Sequence, residues 1–395
     1  MSERAEALIK PELLVWARKS AGIDAAAVSS KAKVPLDKLK KWEAGESRPS
    51  IAQLRKLAEV YKRPLVVFYL AEPPADFQAL RDFRRLPEGL LGSESYELRL
   101  EVRKAQYRRE AALYIYASLG EKPPEFTAIT DVENVPEPLA QQGRARLGIE
   151  LASQFAWNSE YDAFNGWRRA VDKLGVMIFQ ASNVDVEEMR GFSLALTPLP
   201  VIVLNIKDSV RARIFTLLHE FAHLMLREGG ICDLDEAPGS RFQDQQSEIH
   251  ANMVAGAVLV PRDAPVREAQ RRFPGGRAEW SDEDIDFLSK RFRVSREVIV
   301  RRLLIARLAT DTFYRQKRAE YAHQFKATTK PSGFAPPHVI ALSRAGDSFS
   351  RLVLAGYASE KLTSSDVSDL LEVRIKHLPK IEQTLMRSGA VSPGA

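Results

Sequence analysis

Apolar residues recur every three or four positions over most of the chain, which predicts a largely helical protein. In residues 1–70 the periods are short. One run passes through Leu13, Leu14, Ala17 and Ala21 and is stopped by Gly22. A second follows Asp24 as a cap and passes through Val28 and Ala32. A third starts at Pro35 and carries Leu36, Leu39 and Trp42 until Gly45. Ser50 then caps a fourth, Ile51–Tyr61, followed by an apolar tail over 65–70. A long helix is expected over 93–119, with Arg99, Arg103, Lys104, Arg108 and Arg109 among acids, which reads as a solvated mixed-charge face ahead of a dedicated binding stripe. The proline-bearing stretch 120–138 reads as a linker.

The period changes after two further helical stretches, 143–157 and 163–173. Residues 175–179 and 199–204 are short, branched runs bounded by turn residues, the signature of strands. Long helices over 210–228 and 244–259 should follow. Strands first and helices after point to an α+β domain with a small sheet. Past Pro274 helical periodicity returns, and residues 310–395 show no clustering of reactive side chains.

At roughly 100–200 residues per domain, 395 residues predict two to four domains. The boundaries read as 1–74, 75–138, 139–310 and 311–395. A single cysteine, Cys232, excludes a disulfide framework and any all-cysteine metal site. No run of apolar residues is long enough for a membrane helix, and residues 1–13 lack the apolar core of a signal peptide, so a cytoplasmic protein with no membrane partner is expected. The net charge of +6 is concentrated: residues 1–70 hold 14 Lys and Arg against 8 Asp and Glu, and the remainder is balanced. An acidic partner would therefore meet the first domain.

The chemistry centres on His219-Glu220-Phe221-Ala222-His223. Histidines at i and i+4 of a helix share a face and can bind one metal ion, and the glutamate beside the first can act as general base on a metal-bound water. Zinc suits imidazole and carboxylate ligands with one position left open for hydrolysis. The apolar flanks Phe215–Leu218 and Leu224–Leu226 place both histidines near a core. A third ligand is needed. Glu248 is the first choice, because it opens a stripe through Ala251, Val254, Ala255 and Val258 that would pack beside the histidine helix. His250 is the alternative, about 200° around the helix from Glu248, and Asp244 stands near the helix start where capping is role enough.

The segment Arg213 to His223, with Glu248, Ala251, Asn252 and the Leu259-Val260-Pro261 ending, resembles the ImmA/IrrE family of zinc metallopeptidases, whose pattern is Arg-x-x-Phe-Thr-Leu-x-His-Glu-x-x-His, then Glu-x-x-Ala-Asn and Leu-x-Pro. Gly191-Phe192 and the run 200–205 match what precedes the helix in relatives. The resemblance implies a zincin-like domain with His219, His223 and Glu248 as zinc ligands and Glu220 as general base. It makes Arg213 and Asn205 candidates for supporting the site or touching substrate. Phe221-Ala222 replaces a common Leu-Gly, and Met253-Val254 departs from the usual x-Phe; neither removes a ligand.

Residues Leu39, Trp42, Glu43, Gly45, Arg48, Pro49 and Leu54 resemble XRE-type, Cro/repressor-like helix-turn-helix modules. This implies that the third helix enters a DNA major groove, with Lys38, Lys40 and Lys41 at phosphate or base edges. Two features depart from DNA-reading members. The second helix starts Asp24-Ala25-Ala26-Ala27 without a glutamine, and lysine rather than Arg, Asn or Gln lines the third. A module reused for protein contact is the other reading. Residues 287–303 resemble the helix pair that packs on the peptidase in such fusions, which gives Arg291, Arg293, Arg296, Arg301 and Arg302 a structural role ahead of a second basic patch.

The leading expectation is a cytoplasmic zinc endopeptidase that cuts a specific regulatory protein, such as a repressor, with a DNA-binding-type domain and a homodimer as its assembly. The competing expectation is a DNA-binding regulator or antitoxin-like protein that uses the metallopeptidase fold as a sensing or docking scaffold.

Overall fold

The computed structural model describes residues 6–21, 23–61, 68–69, 95–127, 135–226, 240–272, 280–325 and 335–390. The chain divides into two compact units, residues 1–104 and 105–395.

In the first unit, α1 (Pro11–Ala21), α2 (Ala25–Ala32), α3 (Leu36–Glu43) and α4 (Ile51–Tyr61) enclose a core of Leu13, Leu14, Val28, Leu39, Trp42, Leu54 and Leu57. Their ends follow local chemistry. The Asp24 carboxylate accepts from the Ala27 N–H at 2.7 Å, and Ser50 and Gln53 bond each other reciprocally at the start of α4. Pro35 is the residue before α3 rather than its first member. The Trp-Glu-x-Gly stretch has a physical account residue by residue. Trp42 is buried, and Glu43 receives both Nε and Nη2 of Arg18 at 2.7 and 2.9 Å. Gly45 turns the chain at φ +77°, where a Cβ would lie 3.1 Å from Pro11 Cγ. Of the apolar tail, Phe68 is buried near Tyr61; 65–67 and 70 lie outside the described residues.

Helix α5 (Tyr96–Leu119) corrects one expectation. Its arginines do not form a solvated face. Arg103 and Arg108 are buried; Arg108 Nε donates to Leu370 O, and Arg109 donates to the carbonyls of Leu199 and Pro198 at 3.0 and 2.7 Å. Alternating charge marks a helix without saying what covers it, and long arginine stems pack readily under a neighbour.

The second unit continues with α6 (Pro136–Leu147), α7 (Leu151–Phe155) and α8 (Glu160–Asp172), so the stretch expected as linker ends in the first turn of α6. A three-stranded sheet follows: β1 (Met177–Ala181), β2 (Gly191–Leu194) and β3 (Val201–Asn205), in the order β1-β3-β2. β3 runs parallel to β1 and antiparallel to β2, with Ile178 opposite Ile202 and Ser193 opposite Ile202 on the other side. Every residue of β1 and β3 is buried, while β2 alternates, with Phe192 and Leu194 inward. Against the sheet lies α9 (Val210–Met225), capped by Ser209. Helix α10 (Ser240–Leu259) packs on α9 and α6, through a stripe of Ala251, Val254, Ala255 and Val258 that is buried almost completely.

The C-terminal end of α10 has no left-handed glycine cap. Its last carbonyls are met by side chains instead: the part-buried Arg144 donates to Val258 O, and the buried Gln154 and Arg302 donate to Leu259 O and to Val260 O just beyond the helix. Pro261 then prevents continuation. The remaining helices are α11 (Ala264–Arg272), α12 (Asp282–Phe292), α13 (Arg296–Ile305), α14 (Asp311–Phe325), α15 (Pro337–Ala345), α16 (Asp347–Ala358), α17 (Ser364–Leu370) and α18 (Leu378–Ala390). The arginines of 291–302 are occupied structurally. Arg291 pairs with Glu268, Arg293 donates to Trp157 O, Arg296 pairs with Asp286, Arg301 with Glu297, and Arg302 with Glu137. Helix α15 covers β1, the sheet edge opposite β2.

Candidate metal centre

Helix α9 is buried on nearly all sides. Among its last eleven residues, the positions that are not fully buried are Phe215, His219 and His223, spaced by one turn. This line of openings follows from the sequence: Ile214, Leu217, Leu218, Phe221, Ala222, Leu224 and Met225 fill the core around it. The Phe215 ring stacks near His219, and the two imidazoles meet edge to face.

Glu248, on the face of α10 that packs toward α9, completes the group. Its Oε2 lies 3.1 Å from His219 Nε2 and its Oε1 lies 3.3 Å from His223 Nε2, while the two Nε2 atoms are 3.2 Å apart. Donors held about 2.05 Å from a tetrahedral metal ion stand about 3.3 Å from one another, so the three residues have the spacing of a ligand set. Two imidazole nitrogens and a carboxylate are also the donor class for such an ion. His250 is outside this group among the described residues, as its position around α10 requires, and the Asp244 side chain lies outside the described residues.

Glu220 points toward the sheet, 3% exposed, and accepts a hydrogen bond from Ser193 Oγ at 2.7 Å. The reason lies two residues away. A Cβ on Gly191 would be 2.5 Å from Thr216 Cγ2 and 2.9 Å from Val203 O, so only glycine lets α9 approach β2 this closely. Four residues along the helix advance about 6 Å and two along a strand about 6.7 Å. The Gly191–Thr216 contact is therefore repeated one step on as Ser193–Glu220. Neither Ser193 nor Phe215 belongs to a metal-ligand motif, so spacing alone does not single them out. The alternation Phe192-in, Ser193-out, Leu194-in was the available signal for the serine.

The other expected site residues lie elsewhere. Asn205 is fully buried and its amide donates to Val184 O and Met189 O while accepting from the Lys207 N–H, which ties the 184–189 loop to the end of β3. Arg213 is 5% exposed, donates to Gln180 Oε1 at 2.7 Å and lies over the Phe164 ring. Burial lowers its pKa. Neither residue joins the His219, His223 and Glu248 group. Lys38, Lys40 and Lys41 are all exposed on α3, with Lys38 Nζ 5.7 Å from the Trp42 ring.

The fold and this centre define a metallopeptidase-like domain preceded by a helix-turn-helix DNA-binding domain. Comparison with protein families agrees on both. Residues 171–304 match the IrrE N-terminal-like domain of the M78 peptidases, a family that is typically metal-dependent, and residues 14–68 match the helix-turn-helix family. A comparison with curated proteins returned no match. Among the described residues no helix is long and apolar enough to cross a membrane.

Proposed function

We propose that the chain is a zinc-dependent endopeptidase that cleaves a specific regulatory protein, such as a transcriptional repressor, in a stress or gene-regulation circuit. The observation that carries this reading is the convergence of His219, His223 and Glu248 to 3.1–3.3 Å, with Glu220 next in the chain to His219. His219 Nε2, His223 Nε2 and a Glu248 oxygen would hold the ion. Bound zinc supplies Lewis acidity, acidifying water and polarising a carbonyl. The Glu220 carboxylate takes a proton from the attacking water and returns it to the nitrogen of the leaving amine. Ser193 fixes the rotamer of Glu220, and the Phe215 ring forms an apolar wall beside His219. Low local polarity strengthens each of these interactions.

The exposed lysines of α3 are the DNA-facing part of this proposal, with a homodimer to meet paired half-sites. Co-expression with proteins encoded beside this chain tests the enzymatic part. One of them should be cut by the wild type and stay intact with Glu220→Gln, which retains metal. Intact neighbours in both cases, or equal cutting by both, contradict it.

A further inference from the structure

On the far edge of the sheet from Ser193, the second unit holds a partly open cavity of about 390 Å³ lined by α8, β1, the start of α9, the helices α15 and α16, and Thr384 of α18. This is within the range of small-molecule sites, roughly 300–1,000 Å³. It is separate from the metal centre. Arg213, which lines it, precedes His219 by six residues, about 9 Å of helix. The sheet order β1-β3-β2 places β1 and the Ser193 strand about 10 Å apart.

Most of the wall surface is apolar, with Phe164, Ile178, Leu342 and Phe349 prominent, although ten of the eighteen lining residues carry a polar or charged group. Gln180 on β1 stands at the centre of a chain: its amide nitrogen donates to Ser343 O and Oγ at 2.6 and 3.0 Å, and its Oε1 accepts from Arg213. Arg168 donates to Ile178 O at 2.8 Å, in a space kept open by Gly346, whose absent Cβ would lie 3.0 Å from Arg168 Nη2.

The charges do not balance. Arg168, Arg169 and Arg213 face the cavity against Asp172 and Asp347, a surplus of one positive charge. Asp172 and Asp347 both favour the charge on Arg168. Arg213 is 95% removed from solvent and forms no ion pair among the described residues: Gln180 and Tyr161 bond its guanidinium, Asp208 favours its charge from beyond ion-pairing distance while paired with Arg190, and its Nε has no hydrogen-bond partner. A buried cation with a vacant donor is costly unless a counter-charge is supplied. Burial depresses the pKa of both Arg168 and Arg213, the mark of guanidinium groups short of solvation.

We propose that this cavity is a binding site for a small organic monocarboxylate with an apolar or aromatic body, its carboxylate neutralising Arg213. A planar guanidinium matches a carboxylate in geometry. The single surplus charge favours a monoanion, and the two aspartates disfavour a phosphate dianion. The apolar walls take the rest of the molecule. The site requires residues 337–349, so this gives the C-terminal helices a role of their own, independent of the peptidase reading.

Calorimetry on the full chain with phenylacetate, hexanoate and the neutral phenylacetamide tests this. At least one carboxylate should bind at a single site, and phenylacetamide should bind roughly 10- to 100-fold more weakly than phenylacetate, the loss expected for one charge-assisted hydrogen bond. Arg213→Lys should weaken the carboxylate by a similar factor. Val339, 42% exposed on the cavity's rim, gives a variant that spares the core: Val339→Trp should obstruct the cavity and abolish binding. No saturable binding of either carboxylate at millimolar concentration, equal affinity for acid and amide, or undiminished binding by Val339→Trp would each overturn the proposal.

Discussion

Ser193 Oγ and Glu220 Oε2 are 2.7 Å apart, joined across the contact between an edge strand and the helix that carries both histidines. The hydroxyl holds in place the carboxylate that the proposed mechanism uses to move a proton. Ser193→Ala should leave the fold and metal content unchanged and slow cleavage roughly 10- to 100-fold, the usual effect of losing an orienting partner. Metal analysis and cleavage rate, read on the same preparation, check this.

Gly191→Ala should act on the same relationship through the backbone. The added methyl would press on Thr216 Cγ2 and Val203 O. Overpacking of this kind costs about 1–3 kcal/mol. Urea denaturation should show the loss in stability, with cleavage falling because α9 is pushed off β2.

The end of α10 supports Glu248 from its far end, and three side chains satisfy the carbonyls there. Arg302→Met retains volume but leaves Val260 O and Glu137 without that partner. A loss of about 1–3 kcal/mol is expected from the unmet buried carbonyl. Arg144→Met should behave alike, and the denaturation midpoint of each variant measures it.

Asp172 has a definite pH signature. Burial raises its pKa above the ordinary carboxylate value, ahead of the opposing effects of Ser348 and Arg168. The folded chain thus holds this proton more tightly than the unfolded chain, and stability contributed by the protonated form is lost as pH rises from about 4 through the raised folded value. Asp172→Asn should remove that component. The difference in unfolding free energy between wild type and variant, followed from acid to neutral pH, should change in that window and be flat above it.

For the first unit, Lys40→Ala and Lys41→Ala should each weaken duplex DNA binding by the full chain regardless of sequence. Each should also reduce the slope of log affinity against log salt by about 0.9. Fluorescence anisotropy across a salt series gives both quantities.

Much of this was legible in residue order because it depends on local spacing. His219 and His223 share a face by helical period alone, Glu248 was placed by the stripe beginning at Ala251, and Trp42, Glu43 and Gly45 marked a turn. What stayed hidden depends on contacts distant in sequence. Ser193 acquires meaning only when Gly191 admits α9. Arg108 and Arg109 read as surface charge until Leu370 and Leu199 cover them. Asn205 reads as a site residue because it stands just before the helix of both histidines, yet its amide is used up in holding residues 184–189. The cavity beside Arg213 is formed by segments more than a hundred residues apart, beyond the reach of any motif.

The central claim is that His219, His223 and Glu248 bind one catalytic metal ion. Elemental analysis of the purified full chain and of Glu248→Ala tests it most directly. Near one zinc per wild-type chain, with marked loss in the variant, is the predicted result. A wild-type chain that takes up no transition metal, or a variant that binds as much as the wild type, would contradict the account.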